Sequence, residues 1–328
     1  MAYFIGQNAR VGVAINAEVD GTTFGQTAGS YEYLKIKAGG FTYEPRNNKS
    51  IIEELDVDPT DYVVGGLYYT WTLTTVMSYS YREKLYELIM GGAITSAGAA
   101  PITHTFALAD KVKFGSLAVE YSDQKANSGE IIKEVFANAC VTAISISESP
   151  EGNAEMTVSG LATAMTRTTN NTLSSVTDTE PVKWNHFTPT LNGTTTYRLG
   201  SIGFDIGASL SEGDFDHAAT APATLNFIGR SGVRDVSWKF DIRMDAAAYT
   251  LTGDTTAEWT GDNKFVWNNG GAGASERELS IQFGDSFIDS ASRPIGAWGR
   301  ETRSVSMKAT NGTTDVLAVV MKNTHTIA

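Results

Sequence analysis

The chain carries one cysteine, Cys140, in 328 residues. That excludes an internal disulfide framework and fits folding in a reducing compartment. The thiol reads as a small buried side chain rather than a nucleophile. Basic residues are also short, with 25 Lys and Arg against 37 Asp and Glu, a net charge of −12. Duplex-binding surfaces need the opposite balance to displace counterions. The deficit is not a tail effect: residues 1–166 hold 19 acidic and 11 basic side chains, and residues 167–328 hold 18 and 14. No apolar run approaches the roughly 20 residues of a membrane helix. The opening MAYFIGQNARVGVAI lacks a basic region followed by a sustained apolar stretch, so no secretory signal is expected and the chain should be soluble when made. Charged residues reach only 19%, while Gly, Thr, Ser and Ala abound, which fits a β-rich chain with many turns better than a helical bundle.

Motifs of catalysis are missing too. His104, His186, His217 and His325 make no metal-ligand spacing with one another or with Cys140, and each reads as a loop or surface residue. Asp56, Asp58 and Asp61 in DVDPTD resemble the start of a calcium loop, but Asp61 stands where the sharp turn needs Gly, so a solvated acidic loop is expected. NNGGAGASE is Gly-rich without the Gly-Lys-Ser/Thr ending of a phosphate cradle. No nucleophile–base pair or facing carboxylate pair can be named, so neither an enzyme, a metal nor a cofactor is expected.

What is present is alternation. In YEYLKIKAGGFTYE, Leu34 and Ile36 share one face and Lys35 and Lys37 the other. A long polar connection follows, and then GGLYYTWTLTT puts Trp71, Leu73 and Thr75 on one face with Thr70, Thr72 and Thr74 on the other. SYREKLYELIMGG breaks the period: Ser80 and Glu83 have capping-box spacing, Leu85, Leu88 and Ile89 form a stripe, and Gly91 is a stop, so a helix packed on a sheet is predicted. GSLAVEYSD alternates Leu117, Val119 and Tyr121, and AISISESPEGNAEMTVSG reads as a hairpin turning at Pro150–Asn153.

The plan then recurs. After a Thr/Asn/Ser-rich linker over 167–197, Ile202, Phe204 and Ile206 alternate, a second long polar connection follows, and GVRDVSWKFDI presents Trp238, Phe240 and Ile242 as Trp71, Leu73 and Thr75 were presented. DAAAYTLTGD occupies the helix position but is short and Thr-rich, fit for a single turn. Leu279, Ile281 and Phe283 match Leu117, Val119 and Tyr121, and RSVSMKATNGTTDVLAVVM reads as a closing hairpin around Asn311-Gly312. Five elements in one order indicate a duplicated module.

The N-terminal GQNARVGVAINAE, the long-loop hairpins leading to GGLYYTWTLTT and GVRDVSWKFDI, and SESPEGNAEMTVSG together resemble the tail tube proteins (major tail proteins) of long-tailed bacteriophages, in the branch with two tube domains per chain. The resemblance spans nearly the whole length and rests on element order. It implies an N-terminal arm at 1–27, tube domains at 28–166 and 198–328 and the linker between them. Each domain would be a small β-sandwich or half-barrel with a flanking short helix. Trimers would close as pseudo-sixfold rings and stack into a hollow tube that conducts DNA without specific binding. The implied partners are further copies of the chain, a tape-measure protein, a tail terminator and baseplate or distal tail proteins. The implied place is the virion, after synthesis in the host cytoplasm. Edge strands that pair head to tail give rings, and stacking gives a filament.

By matching elements, inter-ring contacts are expected from Pro45, Arg46, Asn47, Asn48, Lys49, Glu53, Glu54, Asp56, Asp58 and Asp61, and from Ser211, Glu212, Asp214, Asp216 and His217. Channel-face candidates are Thr70, Thr72, Thr74, Glu155, Thr157, Ser159, Ser237, Lys239, Asp241, Ser304 and Ser306, with Trp71, Leu73, Trp238 and Phe240 as core. These polar positions equally suit a face turned to outside solvent, and Lys239 is awkward in a DNA-repelling acidic wall. Two other classes stay open: an adhesive or carbohydrate-binding β-sandwich with exposed aromatics, and another tail component such as a terminator or baseplate hub.

Overall fold

A computed structural model of the chain describes residues 9–16, 30–37, 39–52, 61–122, 131–170, 174–176, 180–195, 197–216, 224–253, 256–292, 302–311 and 315–327. At 47–52, 61–66, 122, 170, 211–216 and 224–227 the description is of the backbone alone. The fold is mainly β. Its first part comprises β1 (Arg10–Ile15), β2 (Glu32–Lys35), β3 (Phe41–Ile52), β4 (Asp61–Val76), helix α1 (Glu83–Met90), β5 (Gly91–Ala97), β6 (Ile102–Leu108), β7 (Gly115–Ser122), β8 (Ile131–Glu148), β9 (Glu155–Ala162) and β10 (Ala164–Asn170). There follow β11 (Phe187–Thr190), β12 (Leu199–Gly207), β13 (Leu210–Asp216), β14 (Thr224–Arg230), β15 (Asp235–Arg243) and helix α2 (Ala246–Gly253). The last strands are β16 (Glu258–Trp259), β17 (Asn263–Asn268), β18 (Glu278–Phe283), β19 (Asp285–Ser292), β20 (Thr302–Thr310) and β21 (Leu317–Asn323).

Two sheets result, and each takes strands from both halves. The larger runs β13-β14-β4-β9-β8-β12-β15-β20-β19-β16, with β3 beside β4 and with β1, β2, β7 and β10 attached through the N-terminal part of β8. The smaller runs β11-β17-β18-β21-β6-β5. Among the described residues the halves join through three strand pairings: β8 pairs antiparallel with β12 from Ala143↔Gly207 to Glu148↔Ile202, β6 pairs with β21 from Phe106↔Val319 to Ile102↔Asn323, and β14 meets β4 in parallel at Thr224↔Leu67.

The inward rows follow the alternation. Trp71, Leu73, Ile144, Ile146, Met156, Val158, Phe204, Trp238 and Phe240 are all buried. In the second half the inner face of the large sheet meets the small sheet directly: the Trp238 ring stacks on Phe283 at 5.2 Å and meets Phe265 edge-on at 5.7 Å. In the first half α1 fills the space between, touching β1, β5, β6 and β8. Its environment exceeds the expected stripe, since every residue from Glu83 to Met90 is buried. The Ser80–Glu83 capping box does not form. Arg82 stands at the helix start without a side-chain cap, and the Glu83 carboxylate turns to Asn323 and His325. Gly91 ends the helix at φ 79°, its N–H bonding Glu87 O. Helix α2 is longer than a single turn. Asp245 Oδ1 accepts from Ala248 N, and the Thr250 and Thr252 hydroxyls bond the carbonyls one turn back.

Three expectations about connectivity change. β20 and β21 are not a hairpin: β20 joins the large sheet beside β15 and β19, whereas β21 joins the small sheet beside β18 and β6. Alternation fixes a strand's faces but not its sheet. For the same reason β7 and β18, matched by pattern, lie in different sheets. The stretch expected as a surface linker is partly built in: β11 pairs with β17, Pro181 and Lys183 bridge Ser78 and Asn153, and Val182 and Leu191 are buried. These apolar residues anchor a segment whose Thr and Asn content suggested free loop.

Candidate functional site

The outward face of the large sheet is polar from β4 to β20, across both halves, and meets the exposed Phe287 ring on β19. Strand register builds it in rows. One row runs Thr74, Thr157, Ser145, Asp205, Ser237 and Lys308, each opposite the next on neighbouring strands. Beside it Glu155, Ser147, Gly203, Lys239 and Ser306 form a second row, and Ser201, Asp241 and Ser304 continue a third. Thr72 and Ser159 face each other on the other flank, with Thr42 beyond. All eleven channel-face candidates therefore share one side of one sheet. Sequence reasoning missed Thr42, Ser145, Ser147, Ser201, Asp205 and Lys308. The alternation of Ser145 and Ser147 with Ile144 and Ile146 was the available signal.

Hydroxyls dominate this face and satisfy one another. Thr72 and Ser159 lie 3.4 Å apart, Thr74 and Thr157 3.3 Å, and Ser201 and Ser304 both donate to Asp241. Charges nearly cancel. Glu155 pairs with Lys37 at 2.5 Å, Asp235 has Lys308 at 3.8 Å, and Asp205 and Lys239 stand exposed. The acidity of the chain is thus not concentrated on this face, which is near-neutral and rich in hydroxyls. At the Thr70 end the face closes under a small apolar cluster of Cys140, Leu161 and Ile228, with Tyr68 and Leu210 against it. Burial pushes the Cys140 thiol up to about 12, which leaves it inert.

The two long hairpins lie side by side. The β3–β4 pairing continues out to Ile52↔Asp61 and the β13–β14 pairing to Asp216↔Thr224. β14 runs parallel to β4 with Thr224 opposite Leu67, so both hairpins extend the same way. Pro45 and Arg46 sit on β3, Arg46 forming an exposed ion pair with Glu44. Asn47, Asn48, Lys49 and Asp61 lie on the β3–β4 backbone, and Ser211, Glu212, Asp214 and Asp216 on β13. Glu53, Glu54, Asp56, Asp58 and His217 fall outside the described residues.

A scan against protein-family models finds no match, and a search of curated proteins finds none either.

A second polar constellation lies inside the molecule. His104 is fully buried on β6, against the expectation of a surface histidine, because its place in the alternation with Phe106 points it inward. Its Nδ1 meets Ser96 Oγ at 2.9 Å and its Nε2 the His325 carbonyl at 3.0 Å. Asn323 donates to Tyr79 O and to Glu83 Oε1, both at 2.7 Å. His325, half-buried, brings Nδ1 to 3.3 Å from Glu83 Oε1 and Nε2 to 3.7 Å from Glu32 Oε1. Glu32, Glu83 and His325 form the one metal-ligand grouping found among the described residues. Sequence spacing gave no sign of it, since its members come from β2, α1 and the segment after β21. His186 lies apart, 2.9 Å from the Tyr79 hydroxyl.

Proposed function

We propose that this chain is a structural protein of a phage tail tube, closing as trimeric, pseudo-sixfold rings that stack around a DNA channel. The observation that carries the proposal is the polar face: an unbroken sheet shared by both halves, with a packed core behind it and hydroxyls in front. A channel wall needs that asymmetry. A DNA conduit should also avoid the counterion-release attraction that a basic wall exerts, and a near-neutral Thr/Ser lining meets this need. The parallel pair of long hairpins supports a role in contact between rings, because both leave the same end of the sheet. Burial of Trp71, Trp238, Trp259 and Trp267 removes those rings as sugar-stacking platforms and weighs against the adhesive reading.

The test is negative-stain electron microscopy of the purified chain over a concentration series. Hollow rings or tubes with threefold repeats are the expected result. A chain that stays monomeric at every concentration, including with pre-formed tube ends added as seeds, would refute the assignment.

A further inference from the structure

We propose that Glu32, Glu83 and His325 form a divalent-cation site, with zinc the ion that their chemistry fits. A carboxylate oxygen from each glutamate and a ring nitrogen of His325 lie within 4.8 Å of one another. The side chains of Glu32 and Glu83 are 9% and 0% exposed. Despite that burial, Glu32 Oε2 and Glu83 Oε2 accept no hydrogen bond, and Glu32 Oε1 has the Lys84 ammonium at 3.1 Å. A buried carboxylate without hydrogen bonds carries a desolvation cost of several kcal/mol per ion unless a positive charge compensates it. Lys84 supplies part of that charge: its ammonium is 3.1 Å from Glu32 Oε1 but directs a hydrogen bond to Ser30 O at 2.7 Å. A cation among the three ligands would engage the carboxylate oxygens that the protein leaves open.

The surroundings hold the ligands ready. Asn323 Nδ2 fixes Glu83 through Oε1, which leaves Oε2 for an ion. His325 is held by its backbone N–H on Asn323 Oδ1, by His104 on its carbonyl and by the Tyr81 ring at 4.2 Å. Such supports orient first ligands in metal sites. One imidazole and two carboxylates match the three protein ligands of an open zinc site. Magnesium and calcium ask for more oxygens and no imidazole. Occupancy would pin the segment after β21 to β2 and α1. This inference does not depend on the tube assignment.

The experiment is calorimetric titration of the tag-free, chelator-dialysed chain with zinc chloride, with a magnesium chloride control and thermal melts in parallel. One equivalent of zinc binding in the micromolar range, a raised Tm and no response to magnesium are expected. His325→Ala and Glu32→Gln should abolish the binding, and His186→Ala should retain it. Lys84→Gln keeps all three ligands and removes a like charge, so it should bind zinc more tightly; it serves as the readout if His325→Ala fails to fold. A wild-type chain that takes up no zinc, binding that survives His325→Ala, or a Lys84→Gln chain that binds no more tightly would overturn the proposal.

Discussion

Glu148 offers the sharpest test of how the two halves are joined. It ends β8 opposite Ile202 of β12, and its carboxylate accepts the Trp267 indole N–H at 2.6 Å, tying the large sheet to the small one. Burial pushes its pKa up from 4.5 to about 7. Because the folded value is raised, the favourable contribution is complete below 4.5 and is lost as pH rises through about 7. At about 1.36 kcal/mol per pKa unit, keeping Glu148 in place costs the fold roughly 3 kcal/mol at pH 8 and roughly 1 kcal/mol at pH 5. Glu148→Gln keeps an acceptor for Trp267 and has no charge to desolvate. With an unfolding entropy of roughly 2.1 cal/mol/K per residue over 328 residues, the variant should gain about 4 °C in Tm at pH 8 and about 1 °C at pH 5. Thermal melts of both proteins at the two pH values give a double difference in which any packing effect of the amide cancels. An offset that is the same at both pH values would refute the reasoning.

Four further outcomes follow from single contacts. A Cβ at Gly160 would stand 2.1 Å from Cys140 O and 2.3 Å from the Trp71 indole, so Gly160→Ala should lose about 3 kcal/mol of stability in urea titration. Asn323→Leu strips buried partners from Tyr79 O and Glu83 Oε1 and should cost about 3 kcal/mol by the same measurement. Glu155→Gln breaks an ion pair whose side chains are 43% and 44% exposed, and should change stability by under about 1 kcal/mol. Cys140 should resist a thiol reagent in the native protein and react stoichiometrically after unfolding, because it is buried with its thiol pKa at about 12.

Much of the local structure is legible from side-chain period. Trp71 with Leu73, and Trp238 with Phe240, fall on inward rows because alternation sends every second residue to the core, and Pro150–Asn153 supplies the turn between β8 and β9. The same rule puts Glu148 inward after Ile144 and Ile146, and His104 inward with Phe106. What the period does not carry is partnership. Nothing in Thr302–Thr310 or Leu317–Asn323 says that one strand joins the large sheet and the other the small. The Trp echo itself finds different pockets: Trp71 lies over Gly160 and donates to Leu161 O, whereas Trp238 faces Met307 and donates to Ser286 Oγ. The polar face was readable strand by strand, but its continuity needed the β8–β12 seam. The Glu32–Glu83–His325 group joins α1 to the segment after β21 across 242 positions, with Glu32 farther still, and leaves no local trace.

The pairing of β6 with β21 has a consequence for the order in which the chain can fold as it leaves the ribosome. His104 and Asn323 meet across 219 positions, so β6 stays an open edge, with His104 facing inward on it, until nearly the last described strand has been translated. Neither sheet can be completed from the first half alone. A nascent chain therefore holds an unpaired strand edge through most of its synthesis, a state prone to mispairing. The small sheet is continuous only once Leu317–Asn323 lies between β18 and β6.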